Sequence, residues 1–116
     1  MDILKKIDIM VESTQNTESA VQEWLIGAQR IIDNYWKQMG YAEKMRPVLT
    51  MKKGPKYFKI IREDSQKSVF AFISKETGDV FKPAAWSRPA KGARGNLFDR
   101  DKGLGRITPY GPEYNR

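Results

Sequence analysis

The chain contains no cysteine and no histidine. The first absence excludes a disulfide scaffold. Together they exclude Cys–His and Ser–His nucleophile arrangements, the commonest general base and the usual zinc ligands. Magnesium-dependent chemistry needs only carboxylates and is not excluded by composition alone. No apolar run approaches the roughly 20 residues of a membrane span. The opening MDILKKIDIM is broken by Lys5, Lys6 and Asp8, so no secretory signal is expected. These absences point to an intracellular, non-membrane protein that binds a partner rather than catalysing a reaction. No cofactor, catalytic residue or metal is expected.

What is present describes one small domain. A chain of 116 residues is the size of one ordinary domain and can bury roughly two-thirds of the surface its unfolded form exposes. Its formal charge is +7, unevenly spread. Residues 1–40 carry four Lys/Arg against six Asp/Glu, residues 41–86 ten against five, and residues 87–116 seven against three. The positive field therefore belongs to the second two-thirds of the chain. A one-sided basic field is the footprint of a polyanion partner, although it also serves solubility.

Three zones follow one another. Residues 1–45 read as helical. Ile3, Leu4, Ile7, Met10 and Val11 recur at three- and four-residue steps, predicting a short amphipathic helix over 2–12. The hydroxyl and amide side chains of STQNT then predict a break. A capping box at Ser19–Gln22, with Thr17 or Asn16 as rival caps, predicts a second helix over 19–40. Its stripe is Val21, Trp24, Leu25, Ala28, Ile31, Ile32, Tyr35 and Met39, with Trp36 at the border and Gly40 as the stop. A stripe this wide is expected to pack on a sheet and leaves room for self-association.

Residues 46–86 read as four strands: RPVLTM, YFKIIRE, SVFAFIS and VFKPAAW. KGPK, DSQK and KETGD between them are turn signals. Phe58 and Ile60 fall on one face of the second strand, with Tyr57, Lys59 and Ile61 on the other. SVFAFIS is the most apolar and should be central. Pro83 limits the last strand to an edge or ends it, because proline cannot donate to the ladder. Residues 87–116 hold five Gly and three Pro with no apolar period, so they read as loop, draped over the domain or ordering on a partner. The predicted fold is α+β: N-terminal helices packed on a small antiparallel β-meander, in one domain over 1–96, with an irregular basic C-terminal tail over 97–116.

Four groups of residues carry candidate chemistry. Lys52, Lys53, Lys56, Tyr57 and Lys59 interleave cations with an aromatic ring, as do Trp86, Lys91 and Arg94 further on. Aromatic faces stack on unpaired bases while cations follow the phosphate backbone. The competing reading puts Tyr57, Phe70, Phe72, Phe81 and Trp86 in the core beneath the helix. Lys91-Gly92-Ala93-Arg94-Gly95-Asn96 suits phosphate approach, because glycine lets backbone N–H groups come close, but it lacks the P-loop pattern. Glu63, Asp64, Glu76, Asp79, Asp99 and Asp101 fall mostly in turns, where carboxylates are ordinarily solvated rather than converging on a metal. Finally, Trp24, Tyr35 and Trp36 give the second helix its bulk.

The segment VFAFISKETGDVFKPAAW followed by PAKGARGN, about residues 69–98, resembles small proteins encoded by tailed bacteriophages. The resemblance implies a viral origin and a location in the host cytoplasm or the virion. It brings no activity and no site residues. Two functions are therefore expected. The leading one is a non-enzymatic phage accessory protein that binds nucleic acid through the basic sheet face and loop. The alternative is a virion structural or assembly protein whose tail engages a neighbouring subunit.

Overall fold

The computed structural model describes the backbone of residues 3–114 and the side chains of residues 17–114. The fold is α+β: one N-terminal helix followed by a five-stranded antiparallel sheet.

The helix α1 (Ile3–Met39) is continuous, which corrects the expected pair of helices. The backbone does not turn at STQNT, and Ser19 lies inside the helix and not at its start. The physical reason is that polar side chains lower helix propensity by at most about 0.7 kcal/mol each, and no glycine or proline precedes Gly27 to break the run. The apolar face expected of Ile3, Leu4, Ile7, Met10 and Val11 lies outside the described side chains. The stop is where the sequence puts it. Gly40 adopts φ 70°. The Tyr41 N–H donates to Trp36 O at 3.2 Å and the Gly40 N–H to Lys37 O at 3.1 Å. This pair of bonds satisfies the last carbonyls of the helix in the Schellman manner. A single 3-10 turn, Glu43–Met45, leads into the sheet.

Strands β1 (Val48–Lys53), β2 (Tyr57–Glu63), β3 (Lys67–Ser74) and β4 (Asp79–Phe81) form the meander. A fifth strand, β7 (Gly95–Asn96), adds to the outer edge of β4, so β3 is central as its composition predicts. The strand expected through residue 86 ends at Phe81. Residues Pro83–Ala85 (β5) turn off the sheet and pair instead with Arg88–Pro89 (β6) as a small ribbon tipped by Trp86 and Ser87.

One face of the sheet receives the helix. Val21, Trp24, Ala28 and Ile32 pack there against Phe58, Ile60, Ala71, Ile73 and Val80, with Leu25 and Ile31 partly buried on the flanks. Trp24 meets Phe70 edge-on, ring centroids 6.2 Å apart. Phe72 does not join them. The β2–β3 register runs Ile60↔Ala71 and then Ile61↔Val69, leaving Phe70 as an extra residue in a bulge. Strict alternation would put Phe70 and Phe72 on one face. The bulge breaks the alternation, so Phe70 faces the helix and Phe72 the opposite side.

Residues 97–114 are draped over the same domain. They include β8 (Ile107–Thr108) and β9 (Gly111–Pro112), paired with each other. Leu97 and Ile107 are buried in the central core and Leu104 packs on it. This segment runs along the flank of α1: Trp24 bonds Gly103, Gly27 faces Leu104, and Tyr35 meets Tyr110. The wide apolar stripe of the helix is thus used twice, against the sheet and against the tail.

Candidate functional site

The sheet face away from the helix carries a row of four side chains set by strand register. Lys52 on β1 pairs with Lys59 on β2, Lys59 with Phe72 on β3, and Phe72 with Phe81 on β4. Cross-strand partners share a face, so two lysines occupy neighbouring positions at one end of the row and two aromatic residues the other. Tyr57, two residues from Lys59 on the same face, meets Phe72 and Phe81 edge-on at 5.8 and 6.1 Å between centroids.

The β5–β6 ribbon folds back over this face. The Lys59 ammonium lies 4.6 Å from the centre of the Trp86 ring and 5.8 Å from that of Phe72. Both distances are within cation–π range. Trp86 remains 51% exposed, so one ring face is engaged by the cation while much of the indole is open to solvent. Between the ribbon tip and the β1–β2 turn lies a hollow of about 380 Å³ bordered by Lys52, Lys56, Tyr57, Lys59, Phe72 and Ser87. Its walls are mostly carbon. The turn residues Gly54 and Pro55 close one side, and no carboxylate is among its lining residues.

The residues expected to act together are divided by the fold. Lys52, Lys56, Tyr57 and Lys59 meet around the hollow, with Trp86 over Lys59. Lys53 also borders it, but Lys53 alternates to the other face and its ammonium is paired with Glu18 of the helix. Lys91 is exposed in a separate loop and does not line the hollow.

Arg94 corrects the expectation of a phosphate contact. It is only 6% exposed. Its Nη1 donates to the carbonyls of Lys91 at 2.9 Å and Gly92 at 2.7 Å, and its Nε to that of Glu113 at 3.2 Å. The guanidinium closes the Gly-rich loop onto the tail, and its fixed fork of donors is what such a cluster of carbonyls requires. Beside it, Lys82 donates to Pro112 O at 3.0 Å and lies 4.1 Å from the Tyr114 ring centre. Burial, and next the Arg94 charge, hold the Lys82 ammonium below its usual range.

Three of the acidic residues hold local backbone or neighbouring side chains. Asp101 accepts the N–H groups of Gly103 and Gly105, Asp64 that of Gln66, and Asp79 the Asn96 side-chain amide. Among the described residues no three such side chains gather as a metal site, and no helix is long and apolar enough to cross a membrane. Phe72, Phe81 and Ser87 are among the site residues that sequence reasoning missed. Phe72 reads as core from its alternation with Phe70, and Ser87 has no local signal.

No curated protein and no solved structure matches the chain. One family model matches residues 5–107, most of the length. The chain therefore belongs to that family, a family of unknown function (DUF7717).

Proposed function

We propose that the protein is a non-enzymatic accessory protein that binds single-stranded nucleic acid on the sheet face opposite the helix. The observation that carries this reading is the row Lys52–Lys59–Phe72–Phe81 with the half-exposed Trp86 above it. Like charges paired directly across strands are destabilising. A sheet face serving only stability gains nothing from Lys52 beside Lys59, whereas a phosphate bridging them turns the repulsion into attraction. An exposed indole beside those cations adds a stacking surface that every base can use. The net charge of +7 supplies the longer-range steering. Within this proposal the setting is a phage-infected cell, which rests on the resemblance of residues 69–98 alone.

The alternative, a virion protein whose tail engages a neighbour, has less support. The tail's Leu97 and Ile107 are already in the core of their own domain.

Fluorescence anisotropy with single- and double-stranded oligonucleotides at several salt concentrations tests the proposal. Released counterions should give a log–log slope of about −0.7 per phosphate contact on single strands. Single strands should bind more tightly than duplex, and Trp86→Ala should reduce that preference. Absence of binding at physiological salt overturns the proposal.

A further inference from the structure

We propose that the hollow between the β1–β2 turn and the β5–β6 ribbon is a pocket for one unpaired base of the bound strand. The adjoining phosphate is held by Lys52, Lys56 and Lys59. The inference rests on the nucleic-acid reading above and names the part of the ligand that the site takes.

The hollow's size argues for a single residue of the strand. At about 380 Å³ it lies near the small end of ligand pockets, which span roughly 300–1,000 Å³. Its chemistry argues for an aromatic anion. The half-buried Tyr57 provides ring surface, the buried Phe72 the floor beneath it and Pro55 a further apolar wall, while the charged groups around it are lysines with no carboxylate among them. An apolar body carrying a phosphate matches that arrangement, and a nucleotide is both. The hydroxyls of Tyr57 and Ser87 are the uncharged polar groups available to a base edge.

The bulge makes the pocket possible. With Phe70 turned to the helix, Phe72 comes to the outer face, where Lys59 lies over its ring. Without that extra residue, the row opposite Lys59 would lose its aromatic floor. Trp86 is a separate stacking surface at the ribbon tip, so the two can be told apart. Ser87 is exposed at that tip and borders the hollow. A larger side chain there reaches into the pocket from the exposed tip and leaves the core beneath the helix unchanged.

The test compares three oligonucleotides of equal length: an oligothymidine, the same backbone with every base removed, and that abasic strand with one thymine restored. Loss of all bases should weaken binding about tenfold or more, the range expected for base–aromatic contacts. One restored thymine should recover most of the loss. Ser87→Leu should abolish that recovery while the abasic strand binds as before, and thermal unfolding of the variant should match the parent protein. Equal affinity for abasic and intact strands overturns the pocket but leaves the polyanion face standing. Recovery that survives Ser87→Leu and disappears in Trp86→Ala assigns the base contact to the indole and also overturns the pocket. Absence of binding by any strand at physiological salt removes the nucleic-acid reading, and the pocket with it.

Discussion

Trp24 of the helix donates its indole N–H to the carbonyl of Gly103, 3.0 Å away and 79 residues along the chain. The bond is buried, and it fastens the C-terminal segment to the flank of the helix. Gly103 can offer its carbonyl there because it adopts φ 79°, a left-handed conformation that costs glycine no Cβ clash. An added Cβ would also come within 3.2 Å of the Asn96 backbone.

Trp24→Phe keeps a ring against Phe70 but leaves the Gly103 carbonyl without its donor. An orphaned buried acceptor costs about 1–3 kcal/mol, and the smaller ring adds a cavity cost. Chemical denaturation should show that loss. Limited proteolysis should cut first within residues 97–114. A variant as stable as the parent would mean that the tail is not held through this bond.

Arg94→Ala removes three hydrogen bonds from a buried guanidinium to backbone carbonyls. The expected result is a stability loss of at least about 1–3 kcal/mol, with the salt slope of oligonucleotide binding unchanged in whatever fraction remains folded. Lys91→Ala should leave stability unaltered, since its side chain is exposed. A flattened slope with full stability in Arg94→Ala would return the residue to the binding surface.

Lys52→Glu replaces a like-charge cross-strand pair with an opposite one facing Lys59. Cross-strand charge pairs are worth roughly 0.2–1 kcal/mol, so the variant should be slightly more stable than the parent. It should also bind single strands more weakly, because one phosphate contact is replaced by repulsion. Opposite signs in the two measurements, thermal unfolding and anisotropy, identify a residue kept for binding at a cost in stability. A gain in stability with no loss of affinity would remove Lys52 from the site.

The hydroxyls of Tyr35 and Tyr110 lie 3.2 Å apart. That hydrogen bond, followed by partial burial, raises the Tyr35 pKa from 10.0 to about 12. The protonated form is favoured in the fold. The associated stability is therefore fully present below pH 10 and is lost as pH rises from 10.0 toward about 12. Absorbance titration of tyrosinate should show a late-ionising component from Tyr35. Tyr110→Phe, which removes the leading cause, should bring its midpoint down toward 10.0. An unchanged late titration in that variant would assign it to another residue.

Much of the fold follows from local patterns. Period-two alternation in YFKIIRE separated Phe58 and Ile60 from Tyr57, Lys59 and Ile61, and the contacts turn the first pair toward the helix and Tyr57 and Lys59 away from it. The composition of SVFAFIS made β3 central. Gly40 ends the helix because a left-handed residue is needed there and glycine supplies it. Lys52, Lys56 and Lys59 stand out as a local density of charge, and their meeting around one hollow needs only a hairpin to bring them together.

The rest was decided between segments distant in sequence. Nothing local distinguishes Phe70 from Phe72; their opposite faces follow from a bulge, which arises from how β2 and β3 register. Arg94 reads as a surface cation in a Gly-rich loop until the carbonyl of Glu113 closes on it from 19 residues away. The irregular spacing of Leu97, Leu104 and Ile107 hides a docking segment, because a strap lying across a helix meets it at intervals set by its own turns, with no fixed period. Alternation and capping are encoded residue by residue and can be read from the chain. Register and docking depend on which buried surfaces find one another, so only the tertiary structure determines them.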